Sequence, residues 1–316
     1  MQTSPRQQST DKQSLIAHIL LITVAVVWGM TFPLAKAALR EASPLLFNLI
    51  RMILAASILL AINGRRLRGL SKSQWQLCAA AGVLLTAGYE LQTAGLAQTT
   101  PSKSAFLTGL VVVLVPLLSA LPGVRSRHAP PPQAVAYFGA VLAFAGLVLL
   151  TSQPGAGWAL LSGMHLGEWL TLGCALAFAL HLLLLARAAG QVDALAMGTL
   201  QITISALLMF FLLPLERHRF IHWTPTVLWA LGITSVFATA AAFTIQSWAQ
   251  AHVPPTHTAL IFTLEPVFAG LASLVFLGEH LGSRGIAGAI LILGGILLAE
   301  LGPTAVSEAA ILPIEP

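Results

Sequence analysis

Two apolar stretches of similar sequence, GAVLAFAGLVL at residues 139–149 and GAILILGGILL at residues 288–298, indicate how the chain is organised. Each begins with glycine and carries a second glycine seven residues later, and 149 residues separate the two stretches. Neither contains a charged or hydrogen-bonding side chain, as expected for helices that cross a membrane. The similarity predicts two related halves, each rich in membrane-spanning helices.

Further correspondences extend the repeat beyond these stretches. They join Arg51 to Gln201 and Pro116 to Pro266 at an offset of 150, and Gln92 to Gln246 at an offset of 154. The return from 154 to 150 predicts an insertion of four residues before Pro116 in the first half. With five helices per half, an odd number, the second half enters the membrane from the opposite side. This arrangement is an inverted repeat, which many secondary transporters share.

Composition places the chain in a lipid environment. Hydrophobic residues make up 57%, charged residues only 9%, and the mean hydropathy is +0.85. Soluble domains are about 45–50% apolar and about 25% charged. The net charge of +5 resides in short clusters such as Arg65, Arg66, Arg68 and Lys72, without interleaved aromatic residues. These clusters are better explained by membrane orientation than by nucleic-acid binding, and we expect no nucleic-acid partner.

The predicted fold class is an all-α integral membrane protein whose ten transmembrane helices form two inverted five-helix repeats. A span needs about 20 apolar residues. The predicted spans are 15–37, 44–63, 75–98, 102–122, 133–152, 166–188, 194–214, 224–248, 256–277 and 284–302. The corresponding regions are a cytoplasmic tail at 1–14, repeats at 15–152 and 166–302, and a C-terminal tail at 303–316.

Lysine and arginine residues predict the orientation in the membrane. With the N-terminus inside, nine of them fall on the cytoplasmic side and six on the outer side. Both termini are therefore expected in the cytoplasm. The first apolar run is expected to remain as a helix, because a cleaved signal peptide has a shorter apolar region and a small-residue cleavage site.

Several motifs resemble the drug/metabolite transporter superfamily, in its ten-helix EamA-type branch. They are WGMTFP at 28–33, NLIR at 48–51, LQTAGL at 91–96, SAFLTGL at 104–110, VPL at 115–117, LEPV at 264–267 and LGE at 277–279. The resemblance covers nearly the whole chain. It implies an inner-membrane exporter or exchanger of amino acids or related small metabolites. One departure is Val115, which stands before its proline where the second half has Glu265.

Polar and aromatic residues deep in the predicted helices are candidates for the substrate pathway, because polar groups at membrane depth are costly and usually face a cavity or one another. The candidates are Trp28, Asn48, Arg51, Glu90, Gln92, His181, Gln246 and Glu265. Pro116 and Pro266 are candidate hinges, since proline interrupts the hydrogen-bond ladder of a helix.

Two interpretations stay open for each charged candidate. Glu265 either links transport to protons or binds an amine, or it is a packing carboxylate that joins the halves. Arg51 either faces a substrate carboxylate, or has a structural role as a partner of Glu90 or Glu265 or by extending its charge to the outer membrane surface. Glu90 either lines the cavity or packs outside it, because it points away from Gln92, two residues later.

Among the remaining candidates, His181 and Trp28 also allow two interpretations. Gln92 and Gln246 are expected to contact substrate from opposite halves. His181 is either an interhelical hydrogen-bond donor or a proton relay. Trp28 is either a cavity wall or an ordinary packing residue, being too deep for an aromatic belt.

The motifs favour a carrier over other membrane proteins. No HExxH, GxSxG or P-loop sequence occurs, so we expect no enzyme, no metal site and no cofactor. A passive channel and a structural or regulatory membrane protein are the alternatives. Without an ATP motif, coupling is expected to come from an ion gradient or exchange, with protons favoured by Glu90 and Glu265. The expected partners are the lipid bilayer and a small, amino acid-like substrate. The sequence leaves the oligomeric state open.

Overall fold

A computed structural model describes residues 5–119, 134–151, 164–249, 252–253, 258, 261–262 and 264–301. These residues form helices joined by turns, with one isolated antiparallel bridge between Ala42 and Ile221. Six helical stretches are long and apolar enough to cross a membrane: Gln13–Ala38, Pro44–Leu67, Pro101–Ser119, Leu166–Ala188, Ala194–Leu215 and Pro225–Ala249. Shorter apolar helices cover Tyr137–Leu150, Leu264–Leu277 and Ser283–Gly295.

Twelve α-helices are assigned within the described residues. In chain order they are α1 (Pro5–Ala38), α2 (Pro44–Asn63), α3 (Lys72–Gln98), α4 (Pro101–Gly109), α5 (Val111–Ser119), α6 (Ala134–Thr151), α7 (Leu166–Ala188), α8 (Ala194–Leu212), α9 (Pro225–Ser235), α10 (Ala242–Ala249), α11 (Leu264–Leu277) and α12 (Ser283–Leu301). Short 3₁₀ turns follow α2 and α8, at Gly64–Leu67 and Leu213–Leu215.

The helices differ most from the predicted spans at three places, and by one to three residues at several other helix ends. First, α1 begins at Pro5 rather than at residue 15, because proline suits the first turn and no helix-breaking residue follows before the apolar run. Second, the span predicted at 102–122 is two helices, α4 and α5, interrupted at Leu110. Third, the span predicted at 224–248 contains a six-residue π-helix at Val236–Ala241, between α9 and α10.

Some predicted features lie outside the described residues. They are the tail at 303–316 and the end of the fourth predicted span, after residue 119. In the ninth predicted span, five of the eight residues from 256 to 263 also lie outside. Helices α2 and α7 agree with the predicted spans at both ends, 44–63 and 166–188.

Three helices begin with the same local signal, a hydroxyl residue followed by proline. Ser43, Thr100 and Thr224 precede the first residues of α2, α4 and α9. Proline suits the first helical position because its missing N–H would have no intrahelical partner there. The Thr100 and Thr224 hydroxyls accept hydrogen bonds from backbone N–H groups of the first turn, which caps these helices.

Distant carboxylates complete two of these helix starts. Glu216 accepts hydrogen bonds from the Ser43 hydroxyl at 2.9 Å and from the Leu45 N–H at 3.2 Å. Glu279 accepts from the Ser102 N–H at 3.3 Å. A negative charge near a helix N-terminus is stabilising. These contacts connect α2 to the segment after α8, and α4 to the segment after α11.

Helices α6 and α12 run antiparallel with their backbones in contact at glycines. A Cβ atom on Gly146 would lie 2.6 Å from the Gly288 carbonyl oxygen, and one on Gly288 would lie 2.7 Å from the Gly146 oxygen. A Cβ atom on Gly295 would lie 2.5 Å from the Gly139 oxygen. We call these four residues the glycine contact. Small residues allow such close approach, which strengthens packing inside a membrane.

The remaining helices surround the space in which the candidate site lies. Helix α2 packs against α8, α3 against α7 and α8, and α1 against α11 and α10. Buried side chains of α2, α3 and α8 form the largest apolar cluster, with Met52, Leu85, Ile202 and Met209 at its centre. This cluster holds together elements from both halves of the sequence.

Candidate substrate site

A cavity of about 100 Å³ lies between the helices. Its wall contains side chains from α1, α2, α3, α4, α7, α9, α10 and α11. The lining combines aromatic rings with a few polar groups, the usual composition of a small-molecule site. The polar and charged members are Thr31, Arg51, Gln92, Thr93, Thr108, His181, Thr234, Gln246 and Glu265.

Six of the eight predicted pathway residues line this cavity. They are Trp28, Arg51, Gln92, His181, Gln246 and Glu265. The other two, Asn48 and Glu90, are not part of its wall. Polarity at depth therefore selected residues that mostly line this cavity, whereas the direction of each side chain could be known only from the structure.

Arg51 is buried on α2 and bound by uncharged groups. Its Nε donates to the Thr239 hydroxyl at 2.7 Å, and one terminal nitrogen donates to the Tyr89 hydroxyl at 3.1 Å. The guanidinium carbon also lies 4.4 Å from the centre of the Tyr89 ring, a cation–π distance. No ion pair joins Arg51 to Glu90 or Glu265 in the described part of the chain. Among the described residues, the Thr239 and Tyr89 hydroxyls and the Tyr89 ring stabilise the Arg51 charge, rather than either carboxylate.

The π-helix supplies an acceptor shared by two lining residues. The Ala242 N–H donates to the Phe237 oxygen, five residues earlier, which is the π-helical pattern. The next oxygen, that of Ala238, accepts from the Trp28 indole at 2.8 Å and from Arg51 at 3.4 Å. Irregular backbone at membrane depth is tolerated where side chains satisfy it or a cavity adjoins it. The shared oxygen fixes Trp28 relative to Arg51.

Asn48 and Glu90 form a separate buried network between α2 and α3. The Asn48 amide donates to the Glu90 carboxylate at 3.0 Å and to the Tyr89 backbone oxygen at 3.2 Å. The Asn48 side-chain oxygen accepts from the Thr93 hydroxyl at 3.1 Å. With all of its hydrogen-bonding capacity directed at protein groups, Asn48 positions α3, and through it Tyr89, against α2.

His181 makes the interhelical contact that one interpretation expected. Its Nε2 lies 2.7 Å from the side-chain oxygen of Gln201, on α8. The imidazole also forms part of the cavity wall, so His181 contacts α8 and lines the cavity at the same time. Gln201 is the residue that the repeat aligns with Arg51, and its amide nitrogen has no hydrogen-bond partner in the described structure.

Glu265, on α11, lies directly against α1. A Cβ atom on Gly29 would lie 2.6 Å from the Glu265 backbone oxygen and 2.9 Å from the Ala269 nitrogen. Glycine is needed at residue 29 for the two backbones to approach this closely. The Glu265 side chain lines the cavity and has no hydrogen bond or ion pair within the described residues.

Apart from Trp28, sequence reasoning did not single out the aromatic wall. Trp28 lies 5.0 Å from Phe262 and 5.5 Å from Phe243 between ring centres, and Tyr89 lies 5.6 Å from Phe178. All five rings line the cavity. A signal was present, because the repeat aligns Tyr89 with Phe243 and Trp28 with Phe178. Aromatic residues at equivalent positions of both halves indicate a shared wall.

The two candidate hinge prolines both lie within helices. Pro116 is in α5, six residues after the interruption at Leu110. Pro266 is buried in α11. Among the described residues, no cluster of three or more metal-binding side chains occurs.

Comparison with known proteins identifies the family. The sequence profile of the EamA-like transporter family matches residues 15–152 and 165–301. The chain belongs to this family. The predicted resemblance to EamA-type transporters is therefore confirmed, and so is the expectation of a multi-pass membrane transporter rather than an enzyme.

Individual EamA-like relatives cover most of the chain. An uncharacterized transporter of Archaeoglobus fulgidus is 31% identical over 288 residues, which cover 91% of this chain and 86% of the relative. The uncharacterized transporter YvbV of Bacillus subtilis is 30% identical over 305 residues, covering 93% and 94% respectively. The crystal structure of another protein shares the fold, with a TM-score of 0.64 and 19% sequence identity. The match covers 90% of this chain and 96% of the other.

Proposed function

We propose that this EamA-like transporter is a secondary-active carrier. It exports or exchanges amino acids or related small metabolites across the inner membrane by alternating access. The observation that carries this proposal is the cavity, whose wall contains residues of both family-matched ranges. Trp28, Arg51 and Gln92 come from the first range, and His181, Gln246 and Glu265 from the second. A site between two repeats is the arrangement on which alternating access depends.

Ten transmembrane helices in two inverted repeats belong to the same proposal. The glycine contact supports it, because the repeat aligns Gly139 with Gly288 and Gly146 with Gly295. The observed contacts are Gly146 with Gly288 and Gly139 with Gly295. Exchange of the two halves converts one contact into the other, as a two-fold axis requires. The packing of α2 against α8, the aligned second helices of each half, follows the same rule.

The interrupted and shorter helices complete the ten spans. Helices α4 and α5 together form the fourth crossing, and α9, the π-helix and α10 form the eighth. Helix α3, with 27 residues, has ample length for the third crossing at about 1.5 Å per residue. With the N-terminus in the cytoplasm, the basic segment between α2 and α3 is then also cytoplasmic, in agreement with the positive-inside rule.

Protons are the proposed coupling ion. Glu265 supports this because its carboxylate is in the cavity without a protein partner among the described residues. A carboxylate in such a place can gain and release a proton as the cavity changes sides. Glu90 is the second candidate, although its hydrogen bond with Asn48 lies outside the cavity wall.

Counterflow in liposomes tests the carrier. Purified protein is reconstituted with an excess of one unlabelled amino acid or metabolite inside, and the same compound is added outside in labelled form. A carrier gives a transient overshoot of label inside, because its site is exposed alternately to each side. Leak without an overshoot would show a channel. An imposed pH gradient then tests coupling. If the rate of uptake is unchanged by the gradient, proton coupling is contradicted, whereas exchange remains supported.

A further inference from the structure

We propose that the cavity wall formed by α1, α10, α11 and Phe262, which precedes α11, is a subsite for an ammonium group of the cargo. Its members are the Glu265 carboxylate, the Gln246 amide and the rings of Trp28 and Phe262. This inference rests on the proposed carrier function and adds the charge of the group that the site recognises. It names a cationic N–H donor as the required chemical feature of the cargo.

The Glu265 carboxylate is the first reason. It lines the cavity, and no described side chain or backbone group donates to it. An ionised carboxylate only accepts hydrogen bonds, and leaving one unpaired in apolar surroundings is costly. The complementary ligand is a cation that carries N–H donors.

Gln246 is the second reason, and it is independent of the charge. The residue is only 4% exposed, yet it belongs to the cavity wall. Its side-chain oxygen is buried without a hydrogen-bond partner in the described structure. Buried polar groups are nearly always hydrogen-bonded, so an orphaned amide at a cavity indicates a ligand that completes it. An ammonium group has donors for both the amide oxygen and a carboxylate.

The aromatic rings supply the third part of the subsite. The Trp28 indole N–H already donates to the Ala238 oxygen, so the ring offers its face rather than a donor. Phe262 packs against it with 5.0 Å between ring centres. The close contact of Gly29 with the Glu265 backbone brings this end of α1 against α11. Aromatic faces stabilise cations, and desolvation in a cavity strengthens the effect.

Arg51 does not already neutralise this wall. Its charge is held on α2 by Thr239, Tyr89 and Ala238, as described above. The guanidinium therefore serves the arrangement of α2, α3 and the π-helix, and the positive charge that matches an ionised Glu265 is assigned to the cargo. The two charged lining residues, Arg51 and Glu265, thus have different tasks.

Thermal unfolding of the purified full-length protein tests the subsite directly. The probes are 2-phenylethylamine, 3-phenylpropionate and 2-phenylethanol, which have similar aromatic bodies and a cationic, anionic or neutral end. We expect 2-phenylethylamine alone to raise Tm in a concentration-dependent way. Glu265→Gln is expected to weaken its apparent Kd by at least about tenfold, the effect of losing one charge-assisted contact. Glu41→Gln, which removes a carboxylate in the exposed turn after α1, is the matched control and should leave Kd unchanged.

Equal stabilisation by the neutral alcohol, stabilisation by the carboxylate, or no stabilisation by any of the three would overturn the subsite. These wild-type comparisons decide the matter even if Glu265→Gln does not fold. Unchanged affinity in a folded Glu265→Gln variant would overturn the role of Glu265. Counterflow separates this inference from the proposed function. Selective amine binding without an overshoot would contradict the carrier, and an overshoot with cargo that lacks an ammonium group would contradict the subsite.

Discussion

At the scale of single residues, the buried guanidinium of Arg51 depends on a small number of neutral acceptors. Its Nε bond to the Thr239 hydroxyl is the shortest of these, at 2.7 Å, and Thr239 itself is completely buried. A charged donor left without its acceptor in a buried site loses more free energy than a neutral one. Substitution of Thr239 therefore tests how much this hydrogen bond contributes to the site.

Replacement of Thr239 by valine removes this hydroxyl and retains the shape of the side chain. We expect the free energy of unfolding to fall by about 1–2 kcal/mol, since the Arg51 donor loses its partner inside the protein. Counterflow should slow as well, because Arg51 and Tyr89 line the cavity. The measurements are Tm in detergent and the initial rate of counterflow.

Thr239→Ser is the matched control for this prediction. Serine retains the hydroxyl and lacks only a methyl group, so it should preserve most of the rate even if Tm decreases slightly. A valine variant as active and as stable as the serine variant would show that the hydrogen bond is unimportant.

Residue types could be selected from sequence, whereas their partners could not. The cost of polar groups at membrane depth identified Arg51, Gln246 and Glu265, and all three line the cavity. The same rule selected Glu90 and Asn48, which bind each other outside it. Periodicity on one helix does not show which neighbouring helix each face meets, so a mutual pair and a cavity residue look the same in sequence.

At the scale of helices, the glycine contact is one of the close backbone approaches between the two halves. Gly294 and Gly295 are adjacent on α12 and face different surroundings. A Cβ atom on Gly295 would lie 2.5 Å from the Gly139 oxygen, whereas one on Gly294 would lie 3.8 Å from the nearest atom, a methyl group of Leu142. The two positions therefore provide an internal comparison.

Gly295→Ala is expected to destabilise the protein by about 1–3 kcal/mol, because α6 and α12 must separate to admit the methyl group. Gly294→Ala should be neutral or slightly stabilising, since alanine favours helix more than glycine does. Tm and the yield of monodisperse protein in detergent measure the difference. Equal tolerance of both substitutions would contradict the described packing of α6 on α12.

The two helix interruptions lie where the offset of the sequence repeat changes, a relation that becomes apparent only with the structure. The offset of the repeat changes from 150 to 154 between Gln201 and Phe243, where the second half is longer, and the π-helix lies in that interval. It returns to 150 before Pro116, and the break at Leu110 lies there. Extra residues in a helix are often accommodated as a π-bulge or an interruption. Apolar patterns gave the helix boundaries well but could not show which form the extra residues would take.

At the scale of the whole molecule, the proposed topology separates two exposed basic segments. Arg68 lies between α2 and α3, and Arg219 lies between α8 and α9. Seven helix crossings precede Arg219 and two precede Arg68 in the ten-helix arrangement, so the two residues are expected on opposite sides. Composition and short connections were sufficient to predict a membrane protein, while the cavity depends on contacts between distant parts of the chain.

Cysteine labelling measures this topology. A membrane-impermeant thiol reagent should label Arg219→Cys in intact cells, and should label Arg68→Cys only after permeabilisation. The two native cysteines, Cys78 and Cys174, are buried and should give little background. Labelling of both variants in intact cells, or of Arg68→Cys alone, would contradict cytoplasmic termini with ten crossings.

The shared oxygen of Ala238 has an evolutionary consequence. Both Trp28 and Arg51 bind the backbone at this residue, and a change of side chain there leaves the carbonyl group in place. Ala238 is itself completely buried, so homologous chains are expected to retain a small residue there while its carbonyl group anchors the same two side chains. Sequence conservation would then indicate only a small residue at position 238, although the geometry of the site depends on its backbone oxygen. Divergence of cargo among relatives is expected to follow the rings beside Trp28, those of Phe243 and Phe262, while the anchor is retained.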